Sequence, residues 1–211
     1  MKNHLYALLI AIIGIGCSIF GYLYLPDRVP VHWNINGTVD RYGSKLESVI
    51  IFPIVIIIVY LLLILLPKID PRKDNYKRFK DSYYIIINSI LTFLLIIHGM
   101  TIAAGMGINV NISMFIPFII GVLFIIIGNY TQRIESNFFI GIRTPWALQD
   151  EAVWKDTNRF GGKMFIIGGL LLMIAAFVPI PYKIILFSIA IIVSVVVPII
   201  YSYFRYKKLH P

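Results

Sequence analysis

The chain has 211 residues, of which 59% are hydrophobic and only 14% are charged. A soluble domain carries roughly 25% charged residues to cover its surface, so this composition excludes water as the main solvent. The formal charge of +9 would suit a nucleic-acid partner. The basic residues stand beside apolar runs, however, where they set topology and contact lipid headgroups. We therefore predict the lipid bilayer as a partner and no direct nucleic-acid binding.

Six apolar runs are long enough to cross a hydrocarbon core of ~30 Å, which needs roughly 17 to 25 residues. They cover residues 5–25, 49–66, 83–104, 113–130, 164–181 and 184–204. The first run lacks a small-residue cleavage site, so it reads as a retained helix and not as a signal peptide. We predict an all-α membrane protein, a six-helix transmembrane bundle forming one integral membrane domain over residues 1–211.

The positions of lysine and arginine predict how these helices are oriented. With the N-terminus in the cytoplasm, 15 of the 19 basic residues fall on the cytoplasmic side. This positive-inside pattern predicts that both termini are cytoplasmic, with an outer loop at 26–48 and inner loops at 67–82 and 131–163. The six spans contain no Asp, Glu, Lys or Arg, which argues against ion-coupled transport.

The outer loop has the pattern of a small extracellular β-hairpin. Its alternate residues are apolar, namely Val29, Val31, Trp33 and Ile35. Asn36-Gly37 is the dipeptide most typical of a two-residue hairpin turn. The cross-strand pairs would then be Ile35 with Thr38, Trp33 with Asp40, and His32 with Arg41. Because two strands alone are only marginally stable, the hairpin should lean on the helix ends.

Two roles are open for this hairpin. It could be a lid over the helices, with Trp33 and Tyr42 as anchors at the membrane interface. It could instead be a surface that recognises an external ligand. The candidate recognition residues are His32, Trp33, Asp40, Arg41, Tyr42 and Lys45.

The inner loop at 131–163 is too long for a simple connector. Thr144-Pro145 is typical of a helix N-cap followed by proline at the first helical position. An apolar stripe follows, formed by Trp146, Val153, Trp154 and Phe160. We predict a cytoplasmic amphipathic helix at the membrane surface, with its tryptophans at the headgroup level and Gly161-Gly162 ending it. The alternative is a docking surface for a cytosolic partner, with exposed side chains at Arg143, Asp150, Glu151 and Arg159.

Both loops carry motifs of a known family. The outer motif comprises Leu25-Pro26, Pro30-Val31-His32-Trp33, Gly37, Asp40 and Ser44-Lys45. The inner motif comprises Asn137-Phe138-Phe139-Ile140-Gly141-Ile142-Arg143-Thr144-Pro145-Trp146, Val153-Trp154 and Asn158-Arg159. Together they resemble the SdpI family of bacterial membrane immunity proteins, typified by the one that protects cells from sporulation-delaying protein.

The resemblance implies resistance to a secreted, membrane-active peptide toxin and a location in the bacterial cytoplasmic membrane. In the typifying system the immunity protein is also a receptor that holds a cytosolic transcriptional repressor at the membrane. The inner-loop residues that could serve such a partner, or that carry the motif, are Asn137, Gly141, Arg143, Thr144, Pro145, Trp146, Asp150, Glu151, Trp154, Asn158 and Arg159.

Two other classes of function were weighed against immunity. A passive lipid or peptide transporter, with a groove between helices, is the main alternative. A membrane enzyme would need a metal or acid–base site built from His32, His98 and a carboxylate such as Asp27 or Asp40. No familiar ligand spacing supports such a site. We therefore predict no enzymatic activity, no catalytic residue, no metal and no cofactor.

Overall fold

The computed structural model describes residues 2–210, with side chains from residue 4 onwards. The helices are α1 (Lys2–Tyr24), α2 (Lys45–Ile69), α3 (Lys80–Gly105), α4 (Ile112–Thr131), α5 (Pro145–Gln149), α6 (Glu151–Ala175), α7 (Ile180–Ile191) and α8 (Val197–Leu209). The strands β1 (Arg28–Trp33) and β2 (Val39–Ser44) form a hairpin, and Lys73–Lys77 is a 3₁₀ turn.

Within the residues that the structure describes, six helical segments are long and apolar enough to cross a membrane. They are His4–Tyr24, Lys45–Ile69, Lys80–Gly105, Ile112–Thr131, Glu151–Ala175 and Ile180–Leu209. This arrangement confirms the predicted all-α membrane class. Two compact units divide the chain: Met1–Leu63 with Ile87–Ile116, and Ile64–Ile86 with Pro117–Pro211.

In the first unit, the Ser18 hydroxyl joins three helices. Its oxygen lies 3.0 Å from the Gly14 carbonyl of its own helix α1 and 2.7 Å from the Val49 carbonyl of α2. It also lies 2.9 Å from Nε2 of His98, a fully buried residue of α3. This contact holds the ends of the three helices in a fixed arrangement.

The hairpin is present, but its turn closes at different residues from those predicted. The Gly37 N–H donates to the Asn34 carbonyl at 2.8 Å, and the Asn34 side chain accepts the N–H of both Asn36 and Thr38. The central turn residues are therefore Ile35 and Asn36. Gly37 follows them with a φ of +80°, a conformation that costs glycine little. The predicted two-residue turn at Asn36-Gly37, and with it the Ile35–Thr38 pair, is wrong.

This turn also alters the strand register. His32 pairs with Arg41, as predicted, but Trp33 pairs with Val39 and not with Asp40. The register shifts on either side of His32, which is how a β-bulge accommodates an extra residue in one strand.

Helix ends support the hairpin within the same unit. Val29 on β1 is fully buried, and it packs in one cluster with Leu25, Val49 and Ile102. At the tip, the Ser113 hydroxyl donates to the Ile35 carbonyl at 3.1 Å. The hairpin is thus fixed at its base and at its tip, although its extracellular position stays a prediction.

In the second unit, α6 runs without interruption through Gly161-Gly162, so the predicted helix end at these glycines is wrong. The glycines are instead sites of close helix approach. A Cβ at Gly128 of α4 would lie 2.5 Å from the Gly162 carbonyl, and one at Gly121 would lie 2.6 Å from the Gly169 carbonyl. Glycine pairs seven residues apart on each helix therefore allow backbone-to-backbone contact between α4 and α6.

A second pair of glycines on α6 faces the last span. A Cβ at Gly161 would lie 3.2 Å from Pro198, and one at Gly168 would lie 3.0 Å from the Ala190 carbonyl. Along that span, the Val197 N–H donates to the Ile192 carbonyl five residues back, which defines a π-helical turn at Ile192–Val196. Pro198 has no N–H for a regular α-helical bond, which favours a local widening of the helix here.

Candidate functional site

The two loops predicted to be internal are bound to each other through Asp70. This carboxylate is only 2% exposed. Its Oδ1 accepts the backbone N–H of Arg72 at 2.7 Å. Its Oδ2 accepts the Tyr76 hydroxyl and the backbone N–H of Phe138, both at 2.9 Å. Asp70 thus ties the segment after α2 to the segment after α4.

Asn137, the first residue of the inner motif, is fully buried at the centre of this contact. Its Oδ1 accepts the backbone N–H groups of Phe139 and Ile140 at 2.9 and 2.8 Å. Its Nδ2 donates to the carbonyls of Glu135 and Ile140. The Tyr76 hydroxyl also approaches Oδ1, at 3.2 Å. We name the contacts of Asp70, Tyr76 and Asn137 the loop network.

Further side chains of the 67–82 loop reach the same segment. The Arg72 guanidinium donates to Ser136 and, at 2.8 Å, to the Leu148 carbonyl. Asn75 donates to the Ser136 carbonyl at 2.7 Å. Burial, followed by the hydrogen bond to Asp70, raises the pKa of the Tyr76 hydroxyl far above its ordinary value. The tyrosine is therefore a stable donor to the carboxylate at physiological pH.

Helix α6 supports the motif from the other side. Trp154 is fully buried and donates its indole N–H to the Ile134 carbonyl at 2.8 Å. Asn158 accepts the Ile142 N–H at 2.8 Å and donates to the Trp154 carbonyl at 3.1 Å. The Trp154 indole is therefore a buried support for the loop, while its level in the bilayer stays a prediction.

Gly141 is the motif residue with the strictest backbone requirement. Its φ is +98°, and a Cβ there would lie 2.6 Å from Oδ1 of Asn158. An alanine would suffer both the left-handed backbone strain of about 1 to 2 kcal/mol and a clash with a buried amide.

We expect Gly141→Ala to lower the thermal midpoint of the purified protein in detergent more than Gly107→Ala does. Gly107 is the matched control, since its φ is +80° but no heavy atom lies within 4 Å of a Cβ there. Both variants carry the backbone strain, so the difference between them measures the Asn158 contact. Equal midpoints would show that this contact does not restrict the position.

The Thr144-Pro145 helix start is confirmed. Thr144 caps α5 by accepting the Ala147 N–H at 3.1 Å, and Pro145 occupies the first turn. The Thr144 hydroxyl also hydrogen-bonds to Ser202 of α8. Trp146 is half-buried, with its ring 5.1 Å from that of Tyr203. The C-terminal helix therefore packs on the motif.

The predicted single amphipathic helix is in fact two helices separated at Asp150. The backbone of Asp150 is extended, and its side chain caps α6 by accepting the N–H groups of Ala152 and Val153. Its other carboxylate oxygen lies 3.1 Å from Nε2 of His210. The hydrogen bond from Val153 is the main reason why the pKa of Asp150 lies below its ordinary value. Asp150 thus serves as a cap and not as a freely exposed side chain.

Three of the predicted partner residues remain on the surface. Arg143, Glu151 and Arg159 are exposed. The Arg143 guanidinium also donates to the Phe138 carbonyl, and Phe138 in turn donates its N–H to Asp70 of the loop network. These side chains present two positive charges and one negative charge beside the buried contacts of the motif.

Close contacts between polar side chains organise the hairpin surface. His32 Nδ1 lies 2.5 Å from the Asp40 carboxylate, Arg41 lies 3.0 Å from Glu47, and Lys45 lies 3.6 Å from Asp27. Tyr42 is 55% exposed, whereas Trp33 is half-buried. Five of the six candidates therefore share the hairpin, and Lys45 is the first residue of α2, directly after it. His98, the other histidine of the considered enzyme site, is fully buried among helices.

Six residues of these contacts were not predicted from the sequence: Asp70, Arg72, Asn75, Tyr76, Ser136 and Ser202. The basic residues of the 67–82 loop were predicted only to contact lipid headgroups. One local signal was available: Asp70 precedes Pro71, a dipeptide that favours the start of a turn. The long-range partners of Asp70 carried no local signal.

Among the described residues, six helices are long and apolar enough to cross a membrane, a hairpin follows the first, and two of the connecting loops bind each other. These features define a multi-pass membrane protein. Residues 133–202 match the SdpI/YfhL protein family, and residues 9–57 match a domain of unknown function, DUF1648. The chain is 32% identical over 210 residues to Immunity protein SdpI of Bacillus subtilis (strain 168), covering 100% of this chain and 99% of that protein. No solved structure matches the chain. The chain belongs to the SdpI/YfhL protein family.

Proposed function

We propose that this chain is a membrane immunity protein that gives resistance to a secreted, membrane-active peptide toxin. The observation that carries the proposal is the similarity to an immunity protein along the whole chain. The hairpin lies within the 9–57 match and Asn137 to Asn158 lie within the 133–202 match, so both candidate sites belong to the shared sequence.

The proposal includes an orientation with both termini in the cytoplasm. The lysine and arginine distribution supports it. The contacts of the second unit are compatible with it, because the 67–82 loop, the motif and the C-terminal helix bind one another. Arg205 pairs with Asp156 at 2.6 Å, and His210 with Asp150. Loops joined in this way must lie on the same face of the membrane.

In this orientation the hairpin faces the exterior and meets the toxin. Its exposed groups combine the His32–Asp40 pair with the apolar side chains of Ile35 and Tyr42, which are 53% and 55% exposed. A surface of mixed aromatic and charged groups suits an amphipathic peptide. On the opposite face, Arg143, Glu151 and Arg159 form the surface that would hold a cytosolic repressor.

Survival of cells exposed to sporulation-delaying protein, with and without this chain, tests the proposal. We expect the wild-type chain to restore growth. His32→Ala with Asp40→Ala should abolish the protection, because the recognition surface loses the hydrogen-bonded pair of these two side chains. The matched control is Arg143→Ala with Arg159→Ala, which should retain protection and weaken only the recruitment of a repressor to the membrane.

The amount of each variant in the membrane fraction must equal that of the wild type. Survival that is the same with and without the chain would disprove immunity to this toxin. Loss of protection in the Arg143 and Arg159 variant alone would place toxin recognition elsewhere than on the hairpin.

A further inference from the structure

A cleft of about 310 Å³ lies where α2 ends and α3 begins, within the second unit. It is lined by Ile64, Pro67, Lys68, Tyr76, Lys77, Lys80, Tyr83 and Tyr84. Three of these residues are lysines and three are tyrosines, while none is a carboxylate. The cleft therefore combines positive charge with aromatic rings, the composition that is favoured at the level of lipid headgroups.

The three lysines are available to an anionic ligand. Lys68, Lys77 and Lys80 are all exposed. Lys77 pairs with Asp74 at 2.8 Å, but both side chains are more than three-quarters exposed, and ion pairs of this kind contribute little in water. Of the other two carboxylates of the 67–82 loop, Asp70 is buried and already accepts three hydrogen bonds, while Asp81 is exposed and does not line the cleft.

An apolar surface adjoins the cleft on the last turns of α2. Leu65 and Ile69, on either side of Lys68, are 48% and 69% exposed. They belong to Lys45–Ile69, a helix long and apolar enough to cross the membrane. A ligand that is an anion at one end and a hydrocarbon along its length matches this combination, whereas a free phosphate ion would use only the cationic part.

We propose that this cleft binds one anionic phospholipid, with its headgroup phosphate among the ammonium groups of Lys68, Lys77 and Lys80. The acyl chains lie along Leu65 and Ile69. The site is distinct from general attraction to a charged membrane surface, because it is a defined cavity with aromatic walls.

The bound headgroup touches the loop network through one residue. Tyr76 lines the cleft, and its hydroxyl binds both Asp70 and Asn137. A lipid in the cleft therefore contacts the same side chain that joins the 67–82 loop to the family motif. Occupancy stabilises this connection by mass action, since the ligand binds only the folded loop.

Native mass spectrometry of the full chain in detergent, titrated with phosphatidylglycerol, tests the proposal. We expect one tightly bound phosphatidylglycerol and weaker binding of zwitterionic phosphatidylcholine. The triple variant Lys68→Gln, Lys77→Gln, Lys80→Gln should lower the affinity about tenfold or more, because each lysine near an anionic headgroup contributes to binding. The matched control is Lys155→Gln, Lys163→Gln, Lys208→Gln, which removes the same charge from exposed positions of the second unit.

Equal losses of affinity in the two triple variants would overturn the proposal in favour of diffuse surface charge. Equal binding of phosphatidylglycerol and phosphatidylcholine would also overturn it. Displacement of the lipid by millimolar inorganic phosphate would overturn it as well, since the cleft would then be a site for the free ion. Thermal midpoints of both variants establish that each is folded before the affinities are compared. The outcome does not depend on toxin immunity, which the survival assay tests separately.

Discussion

Asp70→Ala is expected to lower the free energy of unfolding by about 3 kcal/mol or more, because each buried donor left without an acceptor costs about 1 to 3 kcal/mol. Three donors would lose the carboxylate together: the Tyr76 hydroxyl and the backbone N–H groups of Arg72 and Phe138. Only the Tyr76 hydroxyl would keep a second, longer contact, to Asn137. The two loops would then separate. Unfolding of the purified protein by increasing fractions of sodium dodecyl sulfate in mixed micelles measures the change.

Asp74→Ala is the matched control, since it removes a carboxylate from the same loop. Asp74 is exposed and pairs only with the exposed Lys77 among the contacts described for it, so its loss should leave the unfolding curve unchanged. Asp70→Asn should fall between the two, because the amide keeps one oxygen acceptor. Equal curves for the Asp70 and Asp74 variants would mean that the loop network does not stabilise the fold.

Gly128→Ala is expected to destabilise the second unit by about 1 to 3 kcal/mol, the usual cost of inserting atoms into a close-packed contact. The added methyl would meet the Gly162 carbonyl at 2.5 Å. A backbone carbonyl cannot move aside as a flexible side chain can, so α4 and α6 must separate. The thermal midpoint in detergent and the yield of monodisperse protein report the effect.

Gly99→Ala and Gly16→Ala are the controls for this change. Both glycines lie in helices that could span the membrane, and apart from the backbone of its own helix no heavy atom lies within 4 Å of a Cβ at either one. Alanine favours a helix over glycine by about 0.8 to 1.0 kcal/mol, so these variants should be as stable as the wild type or more stable. A loss at Gly99 that matches the loss at Gly128 would contradict the close-contact explanation.

The spans could be predicted because the membrane imposes a length of apolar sequence that few other structures need. The hairpin could also be predicted, from alternation and from Asn36-Gly37. Its turn could not, because the Asn34 side chain competes for the backbone donors of Asn36 and Thr38. This competition moves the turn centre to Ile35 and Asn36, and glycine is still required one residue later.

Helix α6 shows why a local pattern can mislead. Gly161-Gly162 is typical of a helix end, but glycine also permits close contact between helices. Only the residues that face these glycines distinguish a helix end from a helix–helix contact. Those facing residues, Gly128 and Pro198, are distant in sequence. In the structure, α6 contacts α4 on one side and the last span on the other, and glycine allows the close approach on both sides.

The candidate site was predicted in part. The inner motif was identified by resemblance, and the structure explains its asparagines and Gly141 as parts of a folded loop. Asp70 was missed because its key partner, the Phe138 N–H, lies 68 residues away. A carboxylate at the end of a span looks like any interfacial charge until its donors are known.

The Ser18 contact favours one tautomer of His98. A hydroxyl has a single hydrogen to give, and the shortest of its three contacts is to the Val49 carbonyl, a group that only accepts. When the hydrogen points to that carbonyl, the same oxygen offers His98 a lone pair, which suits a ring that carries its hydrogen on Nε2. A small alcohol in α1 thereby favours one chemical form of an imidazole in α3.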